Sequence, residues 1–318
     1  MNILITGGTG FIGSYLAKKF VHDGHKVVLF EANPNISSIK EIIDNVLLIN
    51  GDLANWAEVL DVVSSYNIEE IYHTGAYVSD GAEKFPSRAY KVNDAGTWHV
   101  LEAARLFKVN KVIFTSTMAT YGDHITEPIH NDSPQFPRIM YGITKVAGER
   151  LGEYYHYKYG LDFRGIRFPS VIGPGRKGRG VSAYTTLIVQ NAALGIPYNI
   201  YVKPETTLPL LYIEDAVNSL LLLANAPRIN LSRCMYTIKG IPCSAQEIVD
   251  EVKLILPQAA LNFTPDSNIT DLVDRIPSLI DDTLARNDWN WKESFDLSSM
   301  IKGFITEVQS YPNNYLDD

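Results

Sequence analysis

The stretch Thr6-Gly7-Gly8-Thr9-Gly10-Phe11-Ile12-Gly13 decides the fold. It follows a short apolar run, Ile3-Leu4-Ile5, and leads into a helical pattern from Tyr15 to His22 that Gly24 ends. A strand that turns into a helix through spaced glycines offers backbone N–H groups at the positive end of the helix, with no side chain in the way. Gly7, Gly10 and Gly13 permit a tight turn, the close approach of an anion, and the packing of helix on strand. At the very start of a strand–helix–strand unit, this spacing predicts a loop that cradles the pyrophosphate of a dinucleotide.

Further runs repeat the pattern. Val27 to Phe30, Val46 to Ile49, Glu70 to Tyr72, Lys111 to Phe114 and Asp162 to Arg167 read as strands. Helical periods lie around Trp56 to Ser65, Ser87 to Leu106 and Tyr141 to Tyr159. Fully apolar strands separated by helices indicate a parallel sheet covered on both faces, and right-handed crossovers then give a doubly wound Rossmann fold. The fold class is α/β, with residues 1–167 forming the nucleotide-binding domain and 208–233 returning to it. Residues 168–207 and 234–318 are expected to form a smaller C-terminal α/β substrate lobe, because after Pro169 the regularity breaks at the loop Gly173-Pro174-Gly175-Arg176-Lys177-Gly178-Arg179-Gly180.

Glu31 closes the second strand, eighteen residues after Gly13. A carboxylate there can accept bonds from the adenosine ribose hydroxyls and repels a 2′-phosphate, so NAD is the expected cofactor. Asp52, in Gly51-Asp52-Leu53, is placed to meet the adenine edge.

Tyr141-Gly142-Ile143-Thr144-Lys145 puts a phenol and an ammonium on one helix face. A free tyrosine, with a pKa near ~10, is a poor base at neutral pH. A neighbouring ammonium and a positive nicotinamide ring stabilise the phenolate, so Tyr141 could take a hydroxyl proton while hydride leaves the same carbon. Lys145 could also hold the nicotinamide ribose. About two dozen residues earlier, Thr115-Ser116-Thr117 ends the fifth strand, where hydroxyls face the ligand crevice.

Composition limits the alternatives. The net charge of −8 over 318 residues, with no basic block, argues against nucleic acid as a partner. The longest apolar candidate, Ala216 to Ala224, is far too short to span a membrane, and the N-terminus lacks a signal-peptide pattern, so a cytoplasmic setting is expected. Cys234 and Cys243 lack metal-ligand spacing, as do His73, His99, His130 and His156, so no metal is assigned.

These residues resemble the extended short-chain dehydrogenase/reductase superfamily of NAD-dependent epimerases and dehydratases. The resemblance rests on the glycine stretch, His73-Thr74-Gly75-Ala76, Lys91-Val92-Asn93, Thr115-Ser116-Thr117 with Tyr121-Gly122, and Tyr141 with Lys145. Within it the chain is most similar to short-chain-type L-threonine 3-dehydrogenases, through Glu149, Arg167-Phe168-Pro169, Leu208 to Asp215 and the C-terminal Asp288-Trp289. The resemblance implies a catalytic Thr117, Tyr141 and Lys145. It implies cofactor contacts from Gly7, Gly10, Phe11, Ile12, Gly13, Glu31, Asp52, Leu53, Thr74, Gly75, Ala76, Asn93, Thr115 and Phe168. Substrate contacts would come from Ser79, Thr117, Tyr141, Ser182 and Tyr184, and a homodimer is implied. One departure stands out: the group's Gly-Thr-Thr-Asp-Tyr-like stretch reads Gly180-Val181-Ser182-Ala183-Tyr184, preceded by Arg176, Lys177 and Arg179. Such cations could hold a carboxylate or a phosphate.

Three functions remain open. The first is an NAD-dependent dehydrogenase acting on a small hydroxyl compound, L-threonine or a related 3-hydroxy acid. The second is a sugar-nucleotide epimerase, which returns the hydride to the other face. The third is a non-catalytic NAD-binding protein, against which the intact Thr117, Tyr141 and Lys145 argue. Dehydratase action is disfavoured because Met118-Ala119 stand where dehydratases of this type place Asp-Glu.

Overall fold

The computed structural model describes residues 1–122, 125–176 and 180–316, with Ser79 and Asp80 described in backbone only. The apolar runs become β1 (Asn2–Thr6), β2 (Lys26–Glu31), β3 (Val46–Asn50), β4 (Glu70–His73), β5 (Lys111–Thr117) and β6 (Asp162–Phe168). Together with β10 (Met235–Thr237) they form one parallel sheet in the order β10-β6-β5-β4-β1-β2-β3. That order is the doubly wound topology, with its switch point between β1 and β4, so ligands are expected beyond the carboxyl ends of those strands. β10 lies just past residue 233, in the stretch that the sequence assigned to the substrate lobe.

Side chains alternate between two cores. Ile3, Ile5, Val27, Leu29 and Ile113 pack with the helices Phe11–His22 and Ile213–Asn225 on one face. Leu4, Val28, Ile71, Val112 and Phe114 pack with Trp56–Ser65 and Gly96–Leu106 on the other. The remaining strands are short. β7 (Ser170–Ile172), β9 (Thr207–Tyr212) and β11 (Ile241–Ser244) make a three-stranded sheet, and β8 (Tyr198–Ile200) pairs with β12 (Leu261–Phe263). The helices Tyr184–Leu194, Ala245–Ile255 and Leu297–Ser310 pack with them. Ala245–Ile255 begins with a capping box between Ser244 and Glu247, which satisfies backbone donors at its start.

The predicted helix from Ser87 to Leu106 is interrupted. A π-helical turn, Tyr90–Ala95, separates Pro86–Ala89 from Gly96–Leu106. Such turns re-aim side chains near functional sites, and this one carries Asn93. No described helix is long and apolar enough to cross a membrane.

Candidate active site

The glycine turn is built by contact as much as by conformation. Gly7 has a φ of +66°, and a Cβ there would lie 2.6 Å from the Gly75 Cα, so the two loops after β1 and β4 meet backbone to backbone. A Cβ on Gly13 would collide with the Gly7 carbonyl oxygen, so the first helix can only press onto the turn as glycine. Gly10 caps that helix without any side-chain bond, and its first turn holds no acidic residue. The amides of Phe11, Ile12 and Gly13 are thus left to an anion. Thr9 Oγ1 accepts from the Asn35 amide at 3.0 Å, which pins the turn to the loop after β2. Glu31 ends β2, its Oε1 accepting from the Ala32 amide at 3.0 Å. An uncapped helix start facing one way and a free-ended carboxylate on the neighbouring strand fit the two halves of a dinucleotide without a 2′-phosphate.

The loop after β4 is held by a buried polar chain that sequence reasoning did not trace. Thr6 Oγ1 bonds His73 Nδ1 at 2.7 Å, and His73 Nε2 bonds Thr97 Oγ1 at 3.0 Å. Burial, reinforced by the Lys145 ammonium, pushes the His73 pKa down to about 3, so the ring stays neutral and serves as a relay of hydrogen bonds. Thr74 Oγ1 donates to the Thr6 carbonyl at 2.7 Å. Asn93 accepts from the Tyr77 amide at 2.7 Å and donates to the Tyr77 carbonyl at 2.9 Å and to Thr144 Oγ1 at 3.1 Å. Its amide therefore ties the loop holding Gly75 and Ala76 to the catalytic-helix candidate, and is spent on that task rather than offered to a ligand.

That helix runs Met140–Tyr159. Its buried stripe is Gly142, Thr144, Lys145, Gly148, Glu149, Gly152 and Tyr155. Glycine lets it lie close: a Cβ on Gly142 would strike the Ala119 carbonyl. Tyr141 thereby meets the end of β5, where Thr117 bonds the phenol. Lys145 is buried, 2 % exposed, and its Nζ donates to the Thr115 carbonyl at 2.7 Å, 4.6 Å from the Phe114 ring centre.

Burial pushes the Tyr141 phenol up to about 12, against the pull of the Arg176 guanidinium and the Thr117 bond. The Lys145 ammonium donates to the β5 carbonyl of Thr115 and lies 5.8 Å from the Tyr141 ring centre. Burial also pushes its own pKa down to about 7, against the opposing pull of Glu149. Arg176, from the glycine-rich loop, is a further cation acting on the phenol. It donates to the Val171 carbonyl at 2.9 Å and to Ser182 Oγ at 2.7 Å.

The other expected positions are placed as follows. Tyr184 is buried in the lobe's core, edge-on to Tyr201 with 6.0 Å between ring centres, because its ring serves better as packing than as a wall of the crevice. Thr185 is likewise buried, its hydroxyl donating to the Ser182 carbonyl at 2.9 Å. Asp52 is engaged by Arg88 and by the Ala54 amide at 2.9 Å, a loop-closing role. Leu53 is core, and its carbonyl bonds His99 Nδ1 at 2.7 Å. Phe168 is buried in register with Thr117, and Thr115 Oγ1 donates to the His73 carbonyl. Ser79 opens the helix Ser79–Lys84; its side chain lies outside the described ones, as do Lys177 and Arg179 of the loop.

The model of the NAD dependent epimerase/dehydratase family matches residues 3–238, from the glycine turn through the last strand of the parallel sheet. The chain belongs to that family. Family membership makes it an NAD-dependent enzyme of the dehydrogenase/epimerase type. It is similar to mitochondrial L-threonine 3-dehydrogenase of Bos taurus, 32% identical over 94% of this chain and 80% of that protein. It is also similar to L-threonine dehydrogenase of Clostridium difficile, with a TM-score of 0.90 and 29% identity over 99% of each chain. UDP-glucose 4-epimerase of Thermotoga maritima shares the fold, at a TM-score of 0.87, 23% identity, and coverage of 98% of this chain and 99% of that one. In this member of the NAD dependent epimerase/dehydratase family, a phenol, a hydroxyl and a buried amine converge beside an arginine. Such a set can move a proton at a carbon-bound oxygen and steady the charge that results.

Proposed function

We propose that this protein oxidises a secondary hydroxyl of a small substrate, L-threonine or a related 3-hydroxy acid, by hydride transfer to NAD with Tyr141 as general base. The convergence of Tyr141, Thr117 and Lys145 at the carboxyl ends of β5 and β6 carries this reading. NAD, when bound, would supply the hydride acceptor and a positive charge. Thr117 Oγ1 holds the substrate oxygen. Tyr141 takes its proton as the carbinol C–H bond breaks, its electron pair leaves with the hydride, and C–O becomes C=O. The substrate loses two electrons as a hydride, with its proton left on Tyr141. Lys145 keeps donors beyond the one spent on Thr115, and with these it would hold the nicotinamide ribose of bound NAD. Purified protein given NAD and a panel of 3-hydroxy acids should form NADH; silence towards the whole panel, with turnover of a sugar nucleotide, contradicts the proposal.

The phenol's position sets the pH dependence. Tyr141 works as the phenolate, and burial holds its pKa above neutrality. The active fraction therefore rises with pH, by up to about tenfold per unit below that pKa. The oxidation kcat is expected to climb between about pH 7 and about pH 10; a flat profile measured with the wild-type enzyme would remove Tyr141 as the base.

Glu31 is the expected ribose acceptor. Glu31→Ala should weaken NAD binding by roughly ten- to a hundredfold, the worth of hydrogen bonds to a charged group, and narrow the gap to NADP. Fluorescence titration with NADH and NADPH measures both.

The helices Gly96–Leu106 and Met140–Tyr159 leave Trp98 and Ile143 exposed, at 42% and 46%. A second copy covering that face would make a homodimer, so light scattering should return twice the 35.5 kDa chain mass. Monomer at micromolar concentration would reject it. The two free buried thiols, Cys234 and Cys243, support a reducing, cytoplasmic setting, and thiol titration of freshly lysed cells would count both as free.

A further inference from the structure

One run of buried hydrogen bonds joins the glycine turn to the backbone of Tyr141. It starts at Gly75, whose Cα lies 2.6 Å from where a Cβ on Gly7 would sit. The Gly75 amide donates to Thr6 Oγ1 at 3.3 Å. Thr6 Oγ1 bonds His73 Nδ1 at 2.7 Å, and His73 Nε2 bonds Thr97 Oγ1 at 3.0 Å. Thr97 Oγ1 donates to the Asn93 carbonyl, inside the π-helical turn Tyr90–Ala95. The Asn93 side chain donates to Thr144 Oγ1 at 3.1 Å, and Thr144 Oγ1 donates to the Tyr141 carbonyl at 2.9 Å. Thr6, His73, Thr97, Asn93 and Thr144 are all buried.

The run has a direction. An amide can only donate and a carbonyl can only accept, so each hydroxyl between them takes one bond and gives one. The Thr97 proton is committed to the Asn93 carbonyl, which leaves the Thr97 oxygen to accept from His73 Nε2. His73 therefore carries its proton on Nε2, and its bare Nδ1 accepts from Thr6. A second proton on the ring would turn the Thr6 hydroxyl from donor to acceptor and set a charge against the Lys145 ammonium. If one member of such a chain shifts, a buried donor or acceptor loses its partner, which is costly away from water. A second tie runs through Thr115. Its hydroxyl donates to the His73 carbonyl at 3.2 Å, and its own carbonyl accepts from Lys145 at 2.7 Å.

We propose that His73 is a positioning residue for hydride transfer. As a neutral imidazole with its proton on Nε2, it locks the glycine turn and the helix of Tyr141 and Lys145 into one register. Breaking the chain on the helix side then misplaces Tyr141 without emptying the cofactor site. This rests on the dehydrogenase reading above, in which Tyr141 is the base.

Nitrogen-15 NMR of the wild-type enzyme reads the ring directly. His73 should show a protonated Nε2 and a bare Nδ1, unchanged between about pH 6 and about pH 9. A proton on Nδ1, or titration within that range, overturns the proposal. Thr97→Val cuts the chain with a side chain of nearly the same shape. It should lower kcat for a 3-hydroxy acid by about tenfold and leave NADH affinity within about twofold, and Thr97→Ser should recover most of the loss. In NADH-saturated Thr97→Val, amide hydrogen exchange along Met140–Tyr159 should quicken by about tenfold, which reports the same loosening without turnover. Unchanged kcat and exchange, or equal losses in kcat and NADH affinity, overturn the proposal. Should Thr97→Val fail to fold, Thr144→Val breaks the last link and must show the same split between kcat and NADH affinity; its absence overturns the proposal. The expected ring state and exchange, with no NADH formed from any hydroxy acid by the wild type, would keep the lock and sink the dehydrogenase reading instead.

Discussion

Tyr141→Phe is expected to lower kcat/KM for alcohol oxidation by roughly 10²- to 10⁴-fold, the usual worth of a positioned general base, and to leave NADH affinity unchanged. The substitution removes one oxygen from a ring already packed against the end of β5 and creates no cavity. The loss should fall on kcat more than on KM, because the proton moves only as the transition state forms. The residual rate should also lose its rise with pH, since the titrating group is gone. Steady-state kinetics across pH, with NADH titration as the control, checks all three. Retained turnover would mean that another group accepts the proton, and Lys145, whose pKa burial lowers to about 7, is the group of the cluster able to do so.

The second large effect concerns stability. Glu149 and Arg167 are almost wholly buried and paired at 2.8 Å, joining the helix Met140–Tyr159 to β6. Glu149 also accepts from Ser116 on β5 and from Gln135 at 3.0 Å, while Arg167 donates to Tyr121 at 3.0 Å and to the Asn131 carbonyl at 2.8 Å. The pair therefore fixes the helix of Tyr141 and Lys145 against β6 and, through Ser116, against the strand that carries Thr117. Arg167→Met leaves a carboxylate buried without its partner and should cost about 3–5 kcal/mol of unfolding free energy. The double variant Arg167→Met with Glu149→Leu removes both charges and should lose less than the single one, because the penalty is for the orphaned charge. Urea denaturation of the two proteins gives the comparison. A single variant no worse than a surface substitution, or a double variant that adds both losses, would show that the pair does not hold the site.

The glycine turn, the parallel sheet and the phenol–amine helix were legible in the sequence because each is a local pattern. A strand buried on both faces reads as an apolar run, and a turn with no room for Cβ reads as glycine. What escaped depends on contacts between distant positions. Asp52 is claimed by Arg88, 36 residues on, and no local rule foretells that pairing. The stripe of Met140–Tyr159 that faces the core is glycine, threonine, lysine and glutamate with one tyrosine, so hydrophobic periodicity could not orient it. Spacing put Lys145 on the face of Tyr141, but the Thr115 carbonyl that accepts its hydrogen bond lies 30 residues earlier, where no local rule points to it. Arg176 stood in a loop where cations are usually solvated, and only the fold brings it to the phenol.

The most direct test follows a label. A 3-hydroxy acid carrying deuterium on its carbinol carbon is turned over with NAD, and the released cofactor is analysed by mass spectrometry. The account predicts that one deuterium leaves with free, reduced cofactor and that a keto acid accumulates in equal amount. Deuterium retained on a substrate whose carbinol centre has inverted, with no net reduced cofactor, would contradict it.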